Sequence, residues 1–390
     1  MTKDSSGKAP TPVSSCVPSS PEPSSAGEAR RPFYHPELDV LRFAAFCAVF
    51  IAHALPTANQ PYLEHGIPHW TAALIARCAR SGIFGVPIFF LLSSYLITTL
   101  LLREHAVSGR LDLKSFYVRR TLRIWPLYFF FLAISFWVLP ALGWPRFSPA
   151  NKVGFSLFLG NWSMMAFGIP EGSAPILWSI SVEEQFYLFW PLLLAWFGVG
   201  RLRRMALILL ALATCVRIAV LPFHPSWTTL WFNTFVQLDP IAIGALLALA
   251  FQPGLPRISA GARMALLGAA LLLLLTVGDH FGLTGRGMLL TYPLVAAAAS
   301  LILVAVLTDS PAGWLSRGPL VYLGKISYGL YVYHGFMLNA AARIWPNSRT
   351  LKDLAAFGGT IVLATISYRF LERPFLKLKR RFEHVSSRPA

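Results

Sequence analysis

Charge is scarce in this chain. Only 13% of its 390 residues are Asp, Glu, Lys or Arg, against roughly one-quarter in a soluble domain. With 55% hydrophobic residues, that shortage points to lipid as the solvent and argues against a water-soluble globule. Cysteine is also scarce. Of the four, Cys47 and Cys215 lie inside apolar runs, Cys78 beside one and Cys16 in a polar stretch, with no CxxC spacing. Neither a disulfide framework nor a zinc site is indicated, and no other metal-ligand spacing appears. The apolar runs lack the alternation of a membrane barrel. The first 32 residues, rich in Ser, Pro, Ala and Glu, lack the apolar core of a signal peptide and are expected to be disordered. No connection is long enough for a soluble domain; the longest, about 143–175, falls short.

Long uncharged segments are plentiful. Ile83–Leu102, Met264–Val277 and Pro293–Leu307 carry no charge. About 20 such residues cross a bilayer as a helix, and helices satisfy their own backbone in lipid. The expected fold is an all-α polytopic integral membrane protein of about ten transmembrane helices. They fall near 37–56, 82–102, 122–142, 176–197, 205–222, 230–251, 263–278, 288–307, 325–342 and 353–371. The short apolar segment 152–168, with Asn151, Asn161 and glycines, reads as interfacial or re-entrant. A tail over 1–35, a membrane domain over 36–375 and a basic tail over 376–390 complete the organisation.

The net charge of +17 fits this topology. Of the 34 Lys and Arg residues, 23 fall on segments that the ten-helix order places inside and 8 on those it places outside. Positive residues mark the cytoplasmic side, so both termini are expected in the cytoplasm. A nucleic-acid partner is not expected, because the spans leave no soluble basic face.

Ionisable residues inside spans are costly and usually face a cavity. The first span holds Asp39, Arg42 and His53. Eleven residues make about three turns, so Arg42 and His53 share a face, roughly 16 Å apart along the axis. Asp39 is one turn from Arg42 and can pair with it. A snorkelling arginine and a structural histidine remain alternatives. FYVRRTLRIWPLY sets Arg119, Arg120 and Arg123 before the third span, where they either anchor it or grip phosphate. LWSISVEEQFYLFWP puts Glu183 and Glu184 at the start of the fourth, with Tyr187 one turn beyond Glu183. At least one carboxylate should face a polar cavity or make a helix–helix contact. Ser93 and Ser94, in FFLLSSYLIT, read as close-packing residues sooner than as nucleophiles. Asp239, followed by Pro240, suggests a broken helix at a polar cavity. His334, in ISYGLYVYHG, either lines the cavity or packs structurally.

In this order the motifs resemble the acyltransferase 3 family of membrane O-acyltransferases. LDVLR with His53, FFLLSSYLIT, FYVRRTLRIWPLY, WSISVEEQFYLFWP, ISYGLYVYHG and Glu372-Arg373-Pro374 carry the resemblance, from about Pro36 to Phe375. Val40 and Ser94 stand where the family pattern has glycine. The resemblance implies transfer of an acetyl or other short acyl group from acyl-CoA, most simply acetyl-CoA, to a hydroxyl of a sugar-containing acceptor. Acyl-CoA, a carbohydrate or glycoside acceptor and membrane lipid are then the partners, with no bound cofactor. It also implies a location in the cytoplasmic (inner) membrane. On this reading Arg42, Arg119, Arg120 and Arg123 hold the CoA, and His53 acts as general base or briefly carries the acyl group, oriented by Glu183 or less readily by Glu184. Asp39, Ser93, Tyr187, Asp239 and His334 support the site. The chain stops about eighteen residues after its last span, as expected of the stand-alone form. A membrane transporter is the rival reading, although no internal repeat appears.

Overall fold

The computed structural model describes residues 2, 34–280, 282–308 and 318–383. Most of the tail expected to be disordered lies outside the described residues, as do Cys16, Arg317 and the last seven residues of the expected basic tail.

Among the described residues every regular element is helical. The ten segments expected as spans appear as α1 (Pro36–Ala54), α2 (Gly85–Ser108), α3 (Leu113–Ala133), α4 (Trp178–Phe197), α5 (Leu202–Val220), α6 (Leu238–Ala250), α7 (Ala260–His280), α8 (Met288–Val306), α9 (Ser327–Ile344) and α10 (Arg349–Ser367). Local sequence sets several ends. α1 stops at Ala54 because Leu55 precedes Pro56 and is extended there. α3 starts at Leu113 because the Asp112 carboxylate accepts from the Ser115 backbone N–H at 3.0 Å and its hydroxyl at 2.6 Å.

Six helical stretches are long and apolar enough to cross a membrane: His69–Ser108, Leu113–Ala141, Val199–Phe223, Ala260–Val277, Gly285–Val306 and Arg349–Phe382. They make the chain a multi-pass membrane protein. The first begins sixteen residues before α2, a helical extension that the charges of Arg77 and Arg80 hide in the sequence. The other four helices fall short because they carry polar residues or are short. α1 bears Glu37, Asp39 and Arg42; α4 bears Glu183, Glu184 and Gln185; α9 bears His334, Asn339 and Arg343; α6 has 13 residues.

Burial sorts the helices further. In the apolar stretches ending α5, α7 and α10, only 17%, 11% and 22% of residues are buried, so these helices form a shell. The stretch containing α2 is 72% buried and runs through the interior. There Trp190 Nε1 on α4 donates to Thr98 Oγ1 on α2 at 2.9 Å, away from solvent. Ser94 lies against α6, its hydroxyl donating to the Ile241 carbonyl at 2.5 Å. A Cβ on Gly244 would come within 2.5 Å of the Leu91 carbonyl, so α2 and α6 touch backbone to backbone. The serine at 94 thus fits because the facing residue is glycine.

The 152–168 segment is two eight-residue helices, Pro149–Ser156 and Gly160–Phe167. Each is about 12 Å long, too short to cross a bilayer. Asn161 ties the second inward, donating to the Phe232 carbonyl at 3.0 Å and the Thr234 hydroxyl at 2.9 Å.

Candidate active site

Three cavities lie along α1, and the central one is lined by α1, α2, α3, α4 and α9 together. The first, about 530 Å³, is basic. Arg42, Lys325, Arg373, Lys377, Lys379 and Arg380 line it beside Arg119, Arg120 and Arg123. The second, about 120 Å³, shares Arg42, Arg120 and Arg123 with the first and adds Ser93, Ser179, Glu183, Tyr187, Tyr328 and Tyr331. The third, about 670 Å³, lies at the other end of α1. His53 lines it with Trp144, Trp178, Trp227, Trp231, Glu171 and Arg343.

α1 presents residues to all three. Arg42 Nη1 pairs with Asp39 Oδ1 at 2.8 Å, and Asp39 Oδ2 accepts from the Tyr34 hydroxyl at 3.1 Å. The helix Pro319–Lys325 presses against this turn, since a Cβ on Gly324 would sit 1.9 Å from the Asp39 carbonyl oxygen. His53 stands in the last turn of α1, at the helix end and not at mid-depth. Its Nδ1 lies 2.8 Å from the Val49 carbonyl. A carbonyl only accepts, so Nδ1 carries the proton and Nε2 is left as a bare acceptor.

Three expectations are corrected by the geometry. Glu183 does not orient His53. Its carboxylate accepts from the Ser93 hydroxyl at 2.8 Å and the Tyr187 hydroxyl at 3.1 Å, in the central cavity. Glu184 does not orient His53 either; it accepts from Trp125 Nε1 at 3.1 Å. Asp239 lines none of these three cavities. It is 2% exposed and clasped by both terminal nitrogens of Arg217 from α5, which is 1% exposed. Pro240 does mark a break, since the helix Trp227–Phe232 ends before α6 begins. Sequence could not anticipate the partner, because Arg217 reads as one more residue of an apolar run.

The arginine cluster divides in the same way. α3 begins six residues before Arg119, so the cluster sits in its second and third turns, too far in for the helix N-terminus to matter. Arg119 is 5% exposed, pairs with Glu104 Oε1 at 2.5 Å and donates to the Phe382 carbonyl at 2.7 Å. It is committed to structure. Arg120 makes no hydrogen bond or ion pair among the described residues, and its Nε is buried. Its guanidinium lies 5.5 Å from the Phe116 ring centroid and 5.7 Å from that of Tyr187. The aromatic rings hold the group while leaving its donors to whatever enters the cavity.

α9 supplies what the sequence weighed least. Tyr331 and His334, three residues apart, share a face. The Tyr331 hydroxyl meets Ser179 Oγ at 2.7 Å and donates to the Ile176 carbonyl at 3.0 Å. Ile176 faces the His53 cavity, and Ser179 and Tyr331 face the central one, so this trio stands between them. The His334 ring centroid is 5.2 Å from that of His53. The basic residues of 373–380 were also missed as lining; an Arg/Lys-rich segment after a span reads as an ordinary anchor.

Among known proteins, the profile of an acyltransferase domain family matches residues 35–369. The peptidoglycan O-acetyltransferase OatA of Listeria monocytogenes is 28% identical, in a match covering 88% of this chain and 56% of that protein. The putative peptidoglycan O-acetyltransferase YrhL of Bacillus subtilis is 29% identical, covering 76% of this chain and 51% of that protein. A putative O-acetyltransferase of Staphylococcus aureus is 25% identical, over 88% of this chain and 58% of that protein. The chain thus spans about half the length of these curated relatives. No solved structure matches significantly.

Proposed function

The chain belongs to the acyltransferase 3 family, and from that premise we propose that it is a membrane O-acyltransferase moving an acetyl or other short acyl group from acyl-CoA to a hydroxyl of a carbohydrate acceptor. The observation that carries this reading is the run of cavities along α1. A basic chamber stands at one end, a bare imidazole nitrogen at the other, and Arg42 and Arg120 line the passage between.

The phosphates of CoA take the basic chamber. Arg120 and Arg123 grip them, with Arg42 held ready by Asp39. The pantetheine arm follows α1, whose residues 42 and 53 are roughly 16 Å apart along the axis. Glu183, Ser93 and Tyr187 line the space that the arm occupies, so Glu183 positions the donor. The thioester passes the Tyr331–Ser179 pair to reach His53. There His53 Nε2 takes the proton of the acceptor hydroxyl as general base. The oxygen forms its bond to the acyl carbon, the carbon–sulfur bond breaks, and the departing thiolate takes the proton from His53.

The acceptor enters the third cavity, where tryptophan rings offer flat apolar faces and Glu171 and Arg343 offer polar edges. Relatives named for peptidoglycan direct the acceptor towards a surface polysaccharide. In this reading ten spans cross the cytoplasmic membrane, both termini are cytoplasmic, and the basic chamber opens to the cytoplasm.

The test is release of free CoA thiol by the purified chain given acetyl-CoA and a glycan acceptor. Acceptor-dependent release is expected. A carrier moving an acylated molecule would release none, and that result would overturn the enzyme reading.

A further inference from the structure

His334 is fully buried, and its imidazole is half satisfied. Nδ1 lies 2.6 Å from the Tyr331 carbonyl and must donate to it, so Nε2 is the acceptor, and among the described residues Nε2 has no partner. A polar atom is rarely buried without a partner, so this nitrogen needs an explanation. The neighbour is the other imidazole. Ring nitrogens sit on the rim, so the 5.2 Å between the ring centroids of His53 and His334 is a separation at which two nitrogens can meet at roughly 2.9 Å once the rings turn together. Both backbone bonds fix the same tautomer, with the proton on Nδ1 and a bare Nε2. Two bare acceptors cannot bond to each other. One added proton between them satisfies both.

We propose that His334 is a positioning residue for acyl transfer, and that its Nε2 accepts a hydrogen bond from His53 Nε2–H when His53 holds the acceptor's proton. This rests on the acyltransferase reading and deepens it. In the step, the acceptor O–H proton moves to His53 Nε2, the oxygen–acyl bond forms and the carbon–sulfur bond breaks. The thiolate then takes the proton from His53, and both imidazoles return to neutral. His334 takes and gives no proton in the net reaction. It offers the imidazolium a lone pair beside the His53 ring, whereas Glu183 meets Ser93 and Tyr187 in the central cavity. The surroundings suit a transient charge that is shared and not permanent. Phe46 stands 6.0 Å from the His334 ring and Tyr331 5.3 Å, and neither is charged.

Side-chain geometry allows a test that separates this role from a structural one. A glutamine amide reaches the place of a histidine Nε2, whereas an asparagine amide reaches only the place of Nδ1. The proposal expects His334→Gln to keep kcat within about tenfold of wild type. It expects His334→Asn, which retains the bond to Tyr331, to lose on the order of 10²-fold in kcat, with KM for acetyl-CoA within about twofold. Asparagine performing as well as glutamine would overturn the proposal, because the bond to Tyr331 would then be the whole role. Should neither variant fold, the wild-type chain decides. Histidine 15N spectra at assay pH must show both Nε2 atoms unprotonated, and a proton resident on His334 Nε2 would overturn it. A wild-type chain that releases no CoA under any condition would defeat the enzyme reading separately, while the spectra still report on the pair.

Discussion

Two arginines set within helices do opposite work in this molecule. Arg217 on α5 is 1% exposed, and its terminal nitrogens are spent on Asp239, Val236 and Thr214. Arg120 on α3 is steadied by two aromatic rings and makes no hydrogen bond or ion pair among the described residues. The first closes a helix–helix contact in the shell; the second faces a cavity in the polar interior. A charge within an apolar helix therefore does not by itself locate a site. What locates one is a buried polar atom without a partner among the described residues, a condition that Arg120 and His334 meet and Asp239 and Arg119 do not.

The sharpest contrast should come from chemistry against folding. His53→Ala should cut acyl transfer by 10²–10⁴-fold, roughly the contribution of a general base. Membrane insertion and acetyl-CoA binding should persist; a folded variant with most of its activity would remove His53 from the mechanism. In the closed region the effect should fall on stability. Arg217→Leu or Asp239→Leu alone should cost about 3–5 kcal/mol by stranding a buried charge, and the double variant should recover most of it. Denaturation of all three variants checks this, and additive losses would contradict it.

Smaller effects divide the arginine cluster. Arg120→Ala should weaken acetyl-CoA binding about tenfold and leave the unfolding midpoint in place, because charge-assisted bonds to phosphate are worth about 1.5–3 kcal/mol. Arg119→Ala should do the reverse, since it strands Glu104. Equal effects on both measurements would erase the distinction drawn between them.

The smallest effect belongs to the surface. Asp279 bonds to Arg77 at 2.7 Å and to Arg80 at 2.9 Å, tying the end of α7 to the helix His69–Ser81. Burial pushes its pKa up, but the two arginines outweigh burial and hold it below the usual carboxylate value. Such a carboxylate contributes stability that is complete above its unfolded pKa and is lost as pH falls through the folded one. Asp279→Asn should therefore cost at most about 1 kcal/mol at pH 7, with wild type and variant converging below about pH 4. A constant difference across that range would show that the carboxylate charge is not involved.

Much of the fold was legible in the sequence, for a physical reason. A bilayer leaves the backbone only helices or a closed barrel, and the apolar runs of α2, α7 and α8 do not alternate. The helical extension His69–Ser81 was not legible, because Arg77 and Arg80 break the hydropathy and their partner Asp279 lies some 200 residues away. Within the site, periodicity correctly joined Asp39 to Arg42 and Glu183 to Tyr187, since both pairs are local to one helix. It failed for contacts between helices. Glu183 meets Ser93 of α2 and not His53, and the His334 ring of α9 lies beside His53 of α1, neighbours that no spacing within one helix pairs. Spacing along a helix tells which face a residue occupies, and packing alone tells what meets that face.

In the proposed mechanism one donor and one acceptor meet at His53 from opposite ends of α1. Sealed proteoliposomes of the purified chain, loaded with radiolabelled acetyl-CoA and bathed in a glycan acceptor, test it directly. Label is expected on the external acceptor and CoA thiol inside, and neither with His53→Ala. Label appearing only when donor and acceptor share a compartment would contradict it.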